Sequence, residues 1–280
     1  MSNDKGYLTP EDYAEPRCLL CDEAYGVTAP VKSVPQQRII QKMDEYMSHR
    51  DYQGAERHLL YWLEEAKLGA DKGGELMIRN ELVGHFRKIG NAQGAQENAR
   101  EAMRLIKELG FENHISAATT YINIATADNA FGKNEEAIAL FQKAKQIYEN
   151  DANTSPSLRG GLYNNMALTY VSLGEFEQAF SLYEKAVRVM EDVPGGVLEQ
   201  AITYLNMADA LCAQNGEEAS EKQVEQWLDT AYELLTKGDA PHDGYYAFVC
   251  EKCAPVFAHY GYFLAAKELT DTAEVIYERH

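Results

Sequence analysis

Tyr163-Asn-Asn-Met-Ala-Leu-Thr-Tyr170, then Leu173-Gly-Glu-Phe176, then Ala179, Tyr183 and Ala186 form the stretch that decides the fold. Apolar positions recur at helical spacing on both sides of Gly174, so the stretch reads as two amphipathic helices joined by a tight turn. Subtracting 42 from Asn165, Ala167, Gly174, Ala179 and Ala186 gives Asn123, Ala125, Gly132, Ala137 and Ala144, the same residue types. A helix pair repeated at this period predicts a solenoid, because one pair cannot bury its apolar face without a neighbour.

Working outward, the period divides residues 36–280 into six units, near 36–72, 73–112, 113–153, 154–194, 195–240 and 241–280. Turns inside the units are expected at Arg50-Asp51-Tyr52, Ile89-Gly90-Asn91, Phe131-Gly132-Lys133, Leu173-Gly174-Glu175, Gln214-Asn215-Gly216 and Tyr260-Gly261-Tyr262. The stripes of the second helices are expected at Ala55/Leu59/Trp62, Ala95/Ala99/Ala102, Ala137/Phe141/Ala144, Ala179/Tyr183/Ala186, Val224/Leu228/Ala231 and Ala266/Thr270/Ala273. Small residues at the first and third stripe positions let two helices approach, and the larger middle residue fills the gap. The glycine pairs Gly73-Gly74, Gly160-Gly161 and Gly195-Gly196 are expected to form the turns between units. Residues 1–35 carry Pro10, Pro16, Pro30 and Pro35 with no helical period, and read as an extended leader.

The pattern resembles the tetratricopeptide repeat family, most closely the roughly 42-residue form of kinesin light chains and bacterial peptide-sensing regulators. Its strongest carriers are Tyr163-Asn-Asn-Met-Ala167 and Gly174-Glu-Phe-Glu-Gln-Ala179. The resemblance implies an all-α, right-handed superhelical solenoid whose concave face is lined by the first helix of each unit. It also implies a protein-interaction role. Units one, five and six depart from the pattern: Met43 replaces a small residue, unit five carries about four inserted residues, and unit six is unusually aromatic. The leader does not look like the DNA-binding segment that the regulators often carry.

Composition narrows the function. Hydrophobic residues at 45% suffice for a continuous core, and a formal charge of −18 disfavours nucleic acid and anionic membrane surfaces. No apolar run reaches the ~18 residues of a membrane helix, and the first residues do not read as a secretory signal. The five cysteines then read as reduced thiols, and the expected compartment is cytoplasmic. No nucleophile elbow, phosphate-binding loop, calcium loop or His-Glu-x-x-His pattern is present, so a non-catalytic protein is expected.

Asn123, Asn165 and Asn206 occupy equivalent first-helix positions, with Asn80 and Asn164 one residue earlier in their units. An Asn amide can pair with both the C=O and the N–H of an extended peptide. The same amides could instead bond neighbouring helices, and both readings stand at this point. Arg87 and Asn129, about one turn further on, are candidates for the same groove. Cys18-Leu-Leu-Cys21 and Cys250-Glu-Lys-Cys253 are pairs of zinc-site composition. Their separation of about 230 residues is far from usual zinc-ribbon spacing, and Cys250 and Cys253 fall where unit four packs Tyr163 and Met166. Separate thiol pairs and no cofactor are therefore expected, with zinc on Cys18, Cys21, Cys250 and Cys253 as the alternative; Cys212 is expected in the core. The rings Tyr245, Tyr246, Phe248, Phe257, Tyr260, Tyr262 and Phe263 are expected to cap the last unit.

The sequence thus points to a scaffold that binds an extended peptide or protein segment in its concave groove, with a signalling role implied by the regulators it resembles. The alternative is an assembly module that associates through its ends, as a homodimer for instance, with the leader filling the groove.

Overall fold

The computed structural model describes residues 32–278. The expected leader therefore lies outside the described residues except for its last four, and Cys18 and Cys21 lie outside with it. The described residues contain helices and no strands: α1 (Gln36–Ser48), α2 (Tyr52–Leu68), α3 (Lys72–Lys88), α4 (Ala92–Glu108), α5 (Ile115–Ala130), α6 (Asn134–Asn150), α7 (Pro156–Ser172), α8 (Phe176–Met190), α9 (Val197–Asn215), α10 (Glu217–Lys237), α11 (Gly244–His259) and α12 (Phe263–Tyr277). Consecutive helices pack as antiparallel pairs, and from the second unit on the first helices also pack against one another, as α3 does on α5 and α7 on α9. The result is an all-α repeat solenoid.

Local chemistry fixes the helix ends. Asp51, Asp71 and Asn91 cap α2, α3 and α4 by accepting from the backbone N–H of Gly54, Gly74 and Gly94 at 2.8, 2.8 and 2.9 Å. At the other end, the left-handed residue Gly174 lets Glu175 N–H reach Tyr170 C=O at 2.8 Å, closing a Schellman turn. The same closure follows Phe86, Asp128 and Phe257, with Gly90, Gly132 and Gly261 at positive φ. In the first unit this position is Arg50, at φ 54°, where a side chain costs about 1 kcal/mol.

The glycine pairs do not act as expected. Gly73 and Gly74 lie in the first turn of α3, and Gly160 and Gly161 lie within α7; of the three pairs, only Gly195-Gly196 forms a turn. Ala70 and Gly110, both at positive φ, make the first two turns between units instead. The reason is close packing: a Cβ on Gly160 would collide with Met190 of α8, and one on Gly74 with Asp71, the cap of its own helix, and with Val34 ahead of α1.

Core packing follows the small–large–small stripe. Ala137, Phe141 and Ala144 are fully buried, as are Ala179 and Tyr183, with Ala186 nearly so. Three stripe assignments shift. Trp62 and Ala99 are only half-buried, with Leu63 and Asn98 inside, and Thr270 is exposed because no further helix covers α12 among the described residues. The apolar interior falls into two clusters. One runs from Val34 to Ala210, and the other from Leu198 to Ile276; Tyr204 and Trp227 pack against both.

The curvature of the array brings its ends together. Arg50, in the turn of the first unit, forms an ion pair with Glu251 of α11, 201 residues away. Tyr277 donates to the other carboxylate oxygen of Glu251 at 3.4 Å.

Candidate functional site

The first helices α3, α5, α7 and α9 bury most of their surface and leave one solvent-facing stripe, whereas α1 is largely exposed. On α7 it is Leu158, Gly161, Asn165, Leu168 and Ser172, spaced as one helical face. Register carries this stripe to Glu81 and Gly84 on α3, Asn123 and Thr126 on α5, Asn206 and Asp209 on α9, and Lys252 and Pro255 on α11. These residues line the concave side of the array.

The asparagines are brought together in pairs. Asn123 Nδ2 donates to Asn80 Oδ1 at 3.0 Å, joining α5 to α3. Asn206 Nδ2 donates to Asn164 Oδ1 at 3.1 Å, joining α9 to α7. Each bond uses one of the two amide hydrogens of Asn123 or Asn206 and neither of its acceptor lone pairs. Asn165 faces Ile122 in the equivalent register and makes no side-chain hydrogen bond among the described residues. The two readings of the asparagines therefore coexist geometrically: the pairs tie neighbouring units, and the half-exposed amides keep hydrogen-bonding capacity toward the groove. Asn164 is the exception, being buried.

Asn129 and Arg87 sit at matching positions near the ends of α5 and α3. Asn129 Oδ1 is buried with no hydrogen-bond partner among the described residues. Arg87 touches solvent, yet desolvation lowers its pKa, as expected for a charge inside a concavity.

Two groove carboxylates went unnoticed in the sequence. Desolvation raises the pKa of Glu81, aided by Asp44 and opposed by a hydrogen bond from Asn80. Asp209 is more exposed; desolvation raises it too, opposed by the Tyr260 hydroxyl, which donates to Asp209 Oδ1 at 2.8 Å, and by His259. Register was the available signal: Glu81 stands 42 residues before Asn123, and Asp209 three after Asn206.

The aromatic residues of the last unit divide. Tyr246 and Phe257 are buried, while Tyr245, Phe248 and Phe263 are exposed, so the rings cap the array only in part. Tyr245 and Phe248 stack with centroids 6.2 Å apart on the concave face. Cys250 and Cys253 are buried in α11, and burial pushes their thiols up to about 11 and about 12, away from the thiolate that binds metal. Among the described residues no three His, Cys, Asp or Glu side chains are grouped for a metal ion. Cys212 is half-buried rather than core.

The tetratricopeptide repeat family model matches residues 75–150 and 158–233, more than half of the chain. The chain belongs to the tetratricopeptide repeat family. No curated protein matches it by sequence. Among solved structures, the "putative kinesin light chain nearly identical TPR-like repeats" of Podosopora anserina are similar at 17% identity and TM-score 0.58, covering 75% of this chain and 100% of that one. A point variant of those repeats is similar at 18% identity and TM-score 0.51, covering 72% and 93%. BtubC (BKLC) from P. vanneervenii is 16% identical with a TM-score of 0.47, covering 87% and 91%. These likenesses concern the fold. Tetratricopeptide arrays are protein-interaction modules, and among the described residues no helix is long and apolar enough to cross a membrane.

Proposed function

We propose that the protein is a non-catalytic cytoplasmic scaffold whose concave groove binds an extended peptide segment of a partner. The supporting observation is the row Asn123, Asn165 and Asn206 on successive first helices, half-exposed, with amide donors and acceptors still available. Such a row pairs with peptide main chain whatever the side chains, as a sheet edge does. Partner capture from the native cell supplies the ligand, and titration compares the wild type with N123A/N165A/N206A. Loss of binding with unchanged circular dichroism is expected; retained affinity with the fold intact removes the reading.

A second reading, association through the ends, is favoured by the exposed face of α12. Phe263 and Leu264 are 70% and 87% exposed, and Leu264 lines a groove of about 460 Å³ along α12 with His242, Val275 and Ile276. Sedimentation tests it: a dimer that Leu264→Glu dissociates supports association, and a concentration-independent monomer rejects it.

A further inference from the structure

The groove floor carries two helix-interior glycines that packing does not explain. A glycine inside a helix costs stability relative to alanine, so each needs a reason. Gly94 has one, because a Cβ there would meet the Phe86 ring at 2.8 Å, and Gly160 is crowded by Met190. Gly84 in α3 and Gly161 in α7 have none, since a Cβ on either meets nothing within 4 Å. Both are half-exposed on the concave stripe. Gly84 stands three residues after Glu81, and Gly161 four before Asn165, so they lie one turn to either side of the row Glu81–Asn123–Asn165–Asn206. A line from one to the other crosses that row obliquely at Asn123. Missing side chains at two points on an oblique line leave room for main chain to lie against the helices.

Charge says what else the occupant carries. Glu81 is half-exposed on the concave stripe, one turn from Gly84, and no Lys or Arg acts on it; the groups that do are Asn80 and Asp44. A desolvated carboxylate without a cation attracts one from a ligand. The formal charge of −18 draws basic partners over longer range.

We propose that the groove holds an extended basic peptide whose main chain runs over Gly84 and Gly161 and bonds to Asn123 and Asn165, while a Lys or Arg side chain beside Gly84 pairs with Glu81. This rests on the peptide-binding reading above and specifies its ligand and path.

The test selects binders of the full chain from a phage-displayed pool of random linear peptides, then titrates the synthesised winners. Enrichment in Lys and Arg is expected. G84A and G161A should each weaken binding about tenfold while raising the melting temperature by about 2 °C. A merely structural role for these glycines would not move affinity and stability in opposite directions. E81Q should weaken binding and flatten its salt dependence. Gln142→Ala, exposed on α6, should change nothing. If G84A and G161A bind as the wild type while Asn165→Ala does not, the glycine path is wrong and the groove reading stands. Enrichment in acidic or wholly apolar peptides overturns the charge assignment. A pool that yields no binder, or binders indifferent to N123A/N165A/N206A, overturns both.

Discussion

Units two to four and units five to six stack the same helix pair with different chemistry. In α3 to α8, close approach rests on buried alanines around one large residue, as in Ala137/Phe141/Ala144, and first helices are tied by amide pairs such as Asn80–Asn123. In α9 to α12, tyrosine hydroxyls reach acidic or carbonyl oxygens across helices. Tyr260 donates to Asp209 at 2.8 Å, Tyr262 to Asp229 at 3.3 Å and Tyr246 to Leu235 C=O at 2.8 Å, while Tyr232 bonds Glu268 and Tyr245 bonds Glu199. The regular units rest mainly on backbone proximity, which neither pH nor salt alters, and carry fewer such phenol bonds, as from Tyr163 to Glu149. The last two depend on protonated phenols and on their own apolar cluster, joined to the rest through Tyr204 and Trp227. Stability in a repeat array is approximately a sum over units and interfaces, so the two regions should be separable by experiment.

The largest expected effect comes from Phe257→Ala, which empties the centre of the second cluster and should cost about 3–5 kcal/mol. Hydrogen exchange should show protection lost across 197–277 and kept across 72–190. Phe141→Ala should cost a similar amount with the loss centred on α5 and α6. Uniform loss in both variants would mean one cooperative block and would break the comparison.

Alkaline pH probes the phenols. Desolvation raises Tyr262 and Tyr277, each helped by a nearby carboxylate, and the Glu268 hydrogen bond is the first cause of the rise in Tyr232. A tyrosine whose folded pKa is raised contributes stability that is fully present below its unfolded pKa, about 10, and lost as pH rises through the folded value. The last two units should therefore lose exchange protection first as pH climbs above about 10. Tyr121, Tyr148, Tyr163 and Tyr183 in the regular units are also raised, so loss there should follow rather than be absent. Equal alkaline midpoints for the two regions would discount the phenol bonds.

Arg50→Gly sets two effects against each other. Relief of the left-handed conformation should stabilise by about 1 kcal/mol. Loss of the exposed Arg50–Glu251 pair should cost no more than about 1 kcal/mol and less in salt. The melting temperature should rise or hold at high salt, while small-angle scattering shows the ends moving apart. A marked fall in stability would mean that the contact between the ends carries more than an exposed ion pair.

The smallest effect is expected from Glu81→Gln and Asp209→Asn in the free protein. A carboxyl whose folded pKa is raised penalises folding above that pKa and does not below the unfolded one. Each variant should therefore gain about a degree in melting temperature at neutral pH and nothing near the unfolded pKa of about 4. A loss at neutral pH would show that the Tyr260 or Asn80 bond needs the ionised acceptor.

Much of this was legible because the period is a property of the chain. Asn165 and Asn123 announce their equivalence by spacing, and Ala179, Tyr183 and Ala186 announce a buried stripe by theirs. The glycine pairs misled because Gly next to Gly usually marks a turn, and only the neighbour decides otherwise. Gly160 is helical because Met190 lies against it. Glu81 and Asp209 were passed over because an acidic residue on an exposed helix face normally meets water. Their raised pKa values come from desolvation by the packed array, aided at Glu81 by Asp44 of the preceding unit, and the local sequence contains neither.

The sequence by itself determined the helix pairs, their order and the shared face of the first helices, because these follow from spacings of three, four and about 42 residues along one chain. The tertiary structure decided how those faces were used. It paired Asn80 with Asn123 and Asn164 with Asn206, left Gly84 and Gly161 facing open space, and brought Arg50 to Glu251. Each of these depends on the angle and distance between stacked units. Those are set by side-chain volumes summed over the whole array, a sum that no single repeat encodes.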